Sequence, residues 1–527
     1  MKFIRSRNVR TNRPLRAKKP AKPRSKWIRV IGVALAVPPI AIVLVCLGLA
    51  YQIYSSNKVM AQHSRFPTMN PPVKAQTFLV FSPHCDDETL GAGGLIHQAR
   101  KNGSNVQIVF FTNGDGFRIG VAQEYSELQV KPADFVKYGY MRQGEARTAL
   151  QKLGVSSDCI TFLGYPDRGL MPMWTSYWSP DTPYRSTYTD CDHSPYTTST
   201  TPRTEYCGQS VLADVMAQMD RVQPTDIFVT HPCDDHPDHA AASVFVRSAL
   251  EQLRAAGRPW AKTARLHYYL VHRGDWPVPQ GLHEDAALPP PAQLVTTGTQ
   301  WQQFPLSRRD VQNKYAAIKR YRSQTELTGR FLFSFARENE LFGEVDSDTS
   351  PALPILPHTH PRLTTDLATW RGLTPVALDP AGDSIVRAMQ SGADIVRIFT
   401  ARQGNRLVIR TDMSGNVIKG GQYRVTLRPM MHGLAQPRAT SLSFVAGDED
   451  DQVEVSGAPG ATASYHGNTI VYTLPWSGVA LPDGVTGDLY VQVDTRVANM
   501  VIDRTGFRAV PLPAFYGPMV ASTAHVR

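Results

Sequence analysis

No acidic residue occurs in the first thirty positions, and no charged residue of either sign lies between Val30 and Ala50. The first absence concentrates positive charge, because twelve Lys or Arg stand among those thirty residues. Without them 44 basic residues face 45 acidic ones, so the net charge of +11 belongs to the tail and not to the body. That excludes a basic stripe for a phosphate backbone, and no nucleic-acid partner is expected. The second absence leaves an uncharged run as long as the ~20 residues a helix needs to cross a bilayer. Under the positive-inside rule residues 1–29 are a cytoplasmic tail and 30–51 a transmembrane anchor. The body of this single-pass membrane protein would then be extracytoplasmic, periplasmic or at the cell surface. The competing reading is a cleaved signal peptide processed near Gly48-Leu49-Ala50. Cys46 follows Val45 rather than a small residue, which argues against a lipoprotein signal. Cysteines number only six, and outside the cytoplasm they are free to pair. Cys191 and Cys207 bracket one Ser/Thr-rich loop and are the first expected disulfide.

At 527 residues the chain is too long for one ordinary domain. Residues 52–75 read as a polar spacer. From 76 to 345 short apolar strands alternate with helical segments: strands at 77–81, 105–112, 159–163, 226–230 and 265–271, helices at 89–101, 135–153, 211–221 and 240–255. This alternation predicts an α/β, Rossmann-like and mostly parallel sheet covered by helices. Further helices are expected at 308–321 and near 326–341. An aromatic, Ser/Thr/Pro-rich stretch, 171–210, interrupts the pattern, and 277–300 is a second Pro-rich loop. Residues 346–364 read as a Pro-rich linker. From 365 to 527 strand-like runs separated by Gly, Asp and Asn turns predict a C-terminal all-β sandwich. The acidic run Asp448-Glu449-Asp450-Asp451 reads as a solvated turn with Ca²⁺ binding as the alternative.

Two segments carry chemistry. Ser82-Pro83-His84-Cys85-Asp86-Asp87-Glu88 follows the first strand and precedes a helix. His231-Pro232-Cys233-Asp234-Asp235-His236-Pro237-Asp238-His239 follows strand 226–230 and precedes another. Ligands of parallel sheets bind beyond the carboxyl ends of the strands, where both segments fall. His and Asp together are a ligand set for catalytic Zn²⁺, and Fe²⁺ is also admitted. Adjacent aspartates allow one to bind the ion and the other to act as general base. Metal-assisted hydrolysis of an amide or ester follows.

At these residues the sequence resembles the LmbE-like, or PIG-L, zinc-dependent de-N-acetylases, over roughly 75–345. The resemblance implies that His84, Asp87 and His239 bind zinc and that Asp86 is the general base. His236 would stabilise the oxyanion or serve as acid, and Asp238 would orient a histidine. Arg142, in Arg142-Gln143-Gly144-Glu145, looks like the family's substrate-contacting arginine, and Asp167, in Gly164-Tyr165-Pro166-Asp167, like its Gly-aromatic-Pro-Asp segment. Ser323-Gln324 is also similar. The implied function is removal of an acetyl group from an N-acetylated glycan or glycolipid, with a glycan O-acetyl esterase or a non-catalytic glycan-binding protein as alternatives. Within 171–210 a substrate-facing flap is expected, with Trp174, Tyr177 and Trp178 stacking on sugar rings, or else a structural excursion. Cys85 stands where the family has Pro, and Cys85 and Cys233 either form a disulfide beneath the site or stay free, with one thiol near the metal. His272 is a candidate pocket residue, whereas His193 reads as a surface histidine. Residues 377–413 look like the start of family-nine carbohydrate-binding modules, so the C-terminal domain would bind carbohydrate or be purely structural.

Overall fold

The computed structural model describes residues 66–513 apart from 127–128, 296, 346–351, 358, 383–389, 435, 448–452, 480–484 and 499. Before residue 66 it describes only Cys46, Leu47, Ala50 and Tyr54. The chain divides into a unit of residues 1–55 and a unit of residues 56–527. The expected tail 1–29, the anchor 30–51 but for three residues, and the acidic run 448–451 lie outside the described residues. Among those described, no helix is long and apolar enough to cross a membrane.

The first sheet takes five parallel strands, β1 (Thr77–Ser82), β2 (Asn105–Thr112), β3 (Ile160–Tyr165), β4 (Asp226–Thr230) and β5 (Arg265–Tyr269). Two antiparallel strands, β6 (Thr299–Pro305) and β7 (Asn339–Val345), complete it in the order β3-β2-β1-β4-β5-β7-β6. The chain runs outward in one direction from β1 and in the other from β4, so these two neighbours form the switch point where such sheets bind ligands. Their register pairs Phe78 with Asp226 and Val80 with Phe228. The loops leaving Ser82 and Thr230 therefore emerge side by side. Helices α1 (Asp87–Lys101), α2 (Arg118–Tyr125), α3 (Pro132–Lys152), α4 (Leu170–Thr175), α5 (Gly208–Val222), α6 (Pro237–Ala255), α7 (Arg308–Ile318) and α8 (Arg322–Phe333) accompany the sheet.

The helix expected near 326–341 stops at Phe333, and β7 follows. Its decisive partner is β6, itself hidden behind a Pro-rich loop, so the pairing that makes β7 a strand is nonlocal. The end of the expected spacer also belongs to this domain: Thr68 bridges to Gln303 and Met69 is buried.

Beyond the expected linker two sheets face each other across a shared core of Ile398, Ile409, Tyr472, Val425, Val491 and Val510. One holds β8 (Ile395–Gln403), β9 (Arg406–Met413), β12 (Thr462–His466) and β13 (Thr469–Pro475) with three two-residue strands. The other holds β10 (Gln422–Met431), β11 (Thr440–Val445), β14 (Gly487–Val497), β15 (Met500–Arg504) and β16 (Arg508–Leu512). Leu353 and Leu363, read as linker, are buried against this sandwich.

The sandwich also shares a core with the α/β domain. Met430, Tyr490, Phe507 and Ala509 join Trp174, Trp178 and Phe245 in one buried cluster. The Arg428 guanidinium lies 3.7 Å from the Trp178 ring centroid within it. Its burial removes water from a charge that, among the described residues, finds only aromatic faces as partners, which pushes the group down to about 9.

Candidate active site

The turn from β1 into α1 delivers His84, Asp86 and Asp87; the turn from β4 into α6 delivers His236, Asp238 and His239. Three ligand-type atoms from the two turns form an equal-sided triangle. His84 Nδ1 lies 3.1 Å from Asp87 Oδ2 and 3.1 Å from His239 Nε2. The third edge, His239 Nε2 to Asp87 Oδ2, is also 3.1 Å. Tetrahedral Zn²⁺ with bonds of ~2.0–2.1 Å spaces its ligand atoms about 3.3 Å apart. Two facing imidazole nitrogens and a carboxylate oxygen therefore stand where the open face of such a site needs them.

Each ring has a carboxylate close to its other nitrogen. His84 Nε2 lies 3.5 Å from both Asp167 Oδ1 and Asp238 Oδ2. His239 Nδ1 lies 3.1 Å from Asp234 Oδ2. A carboxylate so placed behind a metal-binding imidazole raises ligand basicity. Asp86, Asp87, Asp167, Asp234 and Asp238 are all buried here, with the Arg142 guanidinium among them. So many carboxylates converging away from water call for a divalent cation, and the donor set fits Zn²⁺ or Fe²⁺.

Asp86 precedes α1 at φ 156° and ψ −27°, a sparsely populated conformation for an L residue. Arg142 Nη2 lies 3.1 Å from Asp86 Oδ2. The same guanidinium donates to the carbonyls of Gly114 at 2.8 Å and Cys85 at 2.7 Å. Gly114 adopts φ +62°, and a Cβ there would sit 1.7 Å from Arg142 Nη1, so glycine is needed for the arginine to pass. Burial pushes the Asp86 carboxyl up to about 7 while Arg142 pulls it down. A base in that range suits proton transfer near neutrality.

His236 caps α6, its Nδ1 accepting from the Asp238 N–H at 3.3 Å. That leaves the proton on Nε2. Burial and the neighbouring His84 and His239 hold His236 well below the usual histidine range, so it is neutral. A cavity of about 230 Å³ opens on these groups, lined by His84, Asp86, Asp167 and His236 together with the apolar Phe117, Phe331 and Leu332. His272 lines it too, stacked on Phe331 at 5.4 Å.

The structure thus brings together His84, Asp86, Asp87, Arg142, Asp167, His236, Asp238 and His239. Arg142 does so as the brace of Asp86 and the surrounding carbonyls. Glu145, one turn along α3, accepts from the Ser323 backbone N–H and hydroxyl, and Gln324 donates to Tyr138. Three expectations fail. Trp174 is fully buried against Phe245, Tyr490 and Phe507, because a large apolar ring beside an uncovered domain face gains more from burial than from a pocket wall. The Cys191–Cys207 pair is not formed: Cys191 Sγ turns to the Thr189 carbonyl and Cys207 Sγ to Ser210 Oγ. Cys85 and Cys233 are likewise free and buried, Cys233 being engaged by Arg508 Nη2 at 3.3 Å. Trp178 is buried with Trp174, and only Tyr177 of the three aromatics is exposed. The 171–210 stretch instead braces the site from behind. Tyr196 donates to Asp115 at 2.5 Å, and Asp115 accepts from the Asp167 N–H at 3.2 Å. His193 pairs with Asp192, its Nδ1 2.8 Å from Asp192 Oδ1.

Asp234 was not singled out from the sequence. It accepts from the backbone N–H groups of His236, Val271 and His272 besides facing His239. Its only signal was its place inside the second His/Asp segment. The sandwich's hold on that segment carried no signal at all. A Cβ at Gly506 would sit 2.5 Å from the Pro232 carbonyl oxygen.

Fold and centre together define an α/β domain with a buried His/Asp cluster able to hold a metal ion at its switch point. Residues 79–250 match the model of the PIG-L family, described as GlcNAc-PI de-N-acetylase. A 1D-myo-inositol 2-acetamido-2-deoxy-alpha-D-glucopyranoside deacetylase of Mycobacterium sp. (strain KMS) is 31% identical over 173 residues, 32% of this chain and 48% of that protein. Its namesake in Tsukamurella paurometabola is 27% identical over 243 residues, 40% of this chain and 74% of that protein. The chain thus spans about half the length of the first mycobacterial relative. Among solved structures, N,N'-diacetylchitobiose deacetylase of Pyrococcus horikoshii aligns with TM-score 0.32 and 18% identity, covering 55% of this chain and 91% of that one. A zinc-inhibited teicoplanin deacetylase aligns with TM-score 0.31 and 16% identity, covering 51% and 97%.

Proposed function

We propose that this protein is a metal-dependent hydrolase that removes the acetyl group from an N-acetylated amino sugar of the N-acetylglucosamine type, with zinc as its ion, acting outside the cytoplasm. The observation that carries the reading is the 3.1 Å triangle of His84 Nδ1, Asp87 Oδ2 and His239 Nε2 with Asp86 beside it. The family match over 79–250 and the named activities of the relatives support the substrate class. The basic tail and uncharged run support the location.

A divalent ion held there supplies Lewis-acid polarisation of the amide carbonyl and an acidified water. Asp86 takes the proton of the attacking water as its oxygen bonds to the carbonyl carbon. His236, with its proton on Nε2, donates a hydrogen bond to the developing oxyanion. Asp86 then returns the proton to the sugar nitrogen as the C–N bond breaks, leaving acetate and a free amine. Arg142 holds Asp86 throughout.

The test is acetate release by the purified chain from a panel of N-acetylated and O-acetylated sugars, with and without a chelator. Chelator-sensitive release from the amides supports the reading. Release from O-acetyl esters alone, or release indifferent to chelator and to Asp86→Ala, overturns it.

A further inference from the structure

The turn bearing His236 separates two cavities. His236 faces the site, while its neighbours Asp235 and Pro237 face a larger cavity of about 380 Å³ between the α/β domain and the sandwich. The segment that follows Asp167 is shared in the same way, Arg168 lining the site and Met171 the second cavity. A single turn of chain therefore stands between the reacting centre and an interdomain chamber. The site cavity alone, at about 230 Å³, is smaller than the ~300–1,000 Å³ of ordinary ligand pockets.

Three carboxylates, Asp234, Asp235 and Asp503, and two guanidiniums, Arg273 and Arg504, line the second cavity. Of the acids on its wall, Asp234 is committed to His239 and to three backbone N–H groups. Asp503 accepts from the backbone N–H groups of Ile395 and Arg504, and Asp235 is paired with Arg273 at 3.0 Å. Arg504 lines the cavity and has neither ion pair nor hydrogen bond to its guanidinium among the described residues. The nearby Arg424 and Arg496 share a single carboxylate, Asp494. Behind Cys233, buried Arg508 leaves Nη1 without a partner. Arg504 is thus the guanidinium on the wall of a chamber of ligand size that has no ion pair among the described residues, and guanidinium groups favour carboxylate and phosphate oxygens.

We propose that this interdomain cavity is a subsite for an anionic group, a carboxylate or phosphate on the unit next to the N-acetylated sugar, so that the substrate is an acidic glycan seated across both domains. The inference rests on the de-N-acetylase reading for the sugar in the adjoining site. Under it the β domain is part of the substrate site rather than a tethered carbohydrate-binding module.

The test is titration calorimetry on the full chain carrying Asp86→Ala, which reads binding without turnover. The probes are a neutral N-acetylglucosamine tetramer, a hyaluronan tetrasaccharide of alternating N-acetylglucosamine and glucuronate, and inorganic phosphate as competitor. The acidic tetrasaccharide should bind about tenfold tighter than the neutral one, the effect of one charge-assisted hydrogen bond. Arg504→Ala should erase that preference and Arg504→Lys keep part of it. Competition by phosphate at lower concentration than free glucuronate assigns the anion as phosphate, and the reverse order assigns it as carboxylate. Equal affinity for both tetrasaccharides, or a preference untouched by Arg504→Ala, overturns the proposal. Failure of the wild-type chain to release acetate from either sugar would instead strike the catalytic reading.

Discussion

Asp234→Asn isolates the contribution of a carboxylate that touches no substrate. Its Oδ2 faces His239 Nδ1 at 3.1 Å and accepts from the N–H groups of Val271 and His272 at 3.0 Å each. Its Oδ1 accepts from the His236 N–H at 3.0 Å. Burial opposes the charge, yet His239 and His272 hold the carboxyl below the ordinary aspartate range. Asparagine fills the same volume but has one acceptor oxygen. Placed toward His239, it turns its amide N–H₂ against the His236 N–H and leaves two donors facing each other, a cost of about 1–3 kcal/mol. The negative charge that polarises the His239 ring is lost in either orientation. Replacing such a partner of a metal-binding histidine lowers metal affinity about 10–100-fold, or roughly 1.4–2.7 kcal/mol. The assay is zinc affinity by competition with a chromophoric chelator, alongside the unfolding midpoint of the metal-free protein. The expected result is weaker zinc binding that exceeds the loss of stability. Unchanged zinc affinity would refute the assignment of His239 Nε2 as a ligand oriented from behind.

Asp86→Ala should lower kcat by about 10²–10⁴-fold while zinc stays bound, measured by acetate release and metal content; turnover near wild type would show that another group takes the proton. Trp174→Ala should destabilise the fold by about 3–5 kcal/mol through the shared domain core, read by denaturant unfolding. A raised KM with unchanged stability would return Trp174 to a sugar-stacking role. His231 is buried, its Nδ1 accepting from the Cys233 N–H and its Nε2 bonded to Thr299. Burial, then the Arg508 charge, push it down to about 3. The unfolded chain therefore binds the extra proton as pH falls below the ordinary value of 6.5, and stability drops by up to about 1.4 kcal/mol per pH unit until about pH 3. In His231→Gln this part of the pH dependence should vanish from unfolding titrations, and an unaltered slope would locate the acid sensitivity elsewhere.

The centre was legible because its chemistry is local. His84, Asp86 and Asp87 are near neighbours, and so are His236, Asp238 and His239, each group stationed after an apolar strand. Strand alternation alone put both at carboxyl ends, where a parallel sheet gathers its ligands. The two antiparallel strands were not legible, since Asn339–Val345 becomes a strand only by pairing with a distant segment. The cysteine pairings failed for a related reason: proximity in sequence, or in two converging loops, does not set the Cα and Cβ geometry that a disulfide requires.

By itself the sequence determined the class of fold and which His and Asp residues gather at the centre, because periodicity and short motifs act within a turn or two of chain. Tertiary structure alone decided that Asp234 stands behind His239, that Trp174 is core, and that Gly506 and Arg508 press on the metal loop. The contacts of Trp174, Gly506 and Arg508 join residues far apart in the chain, and Asp234, though close to His239 in sequence, is held by the backbone of Val271 and His272; whether an aromatic or a charge meets solvent, substrate or another domain depends on which distant surface arrives to cover it.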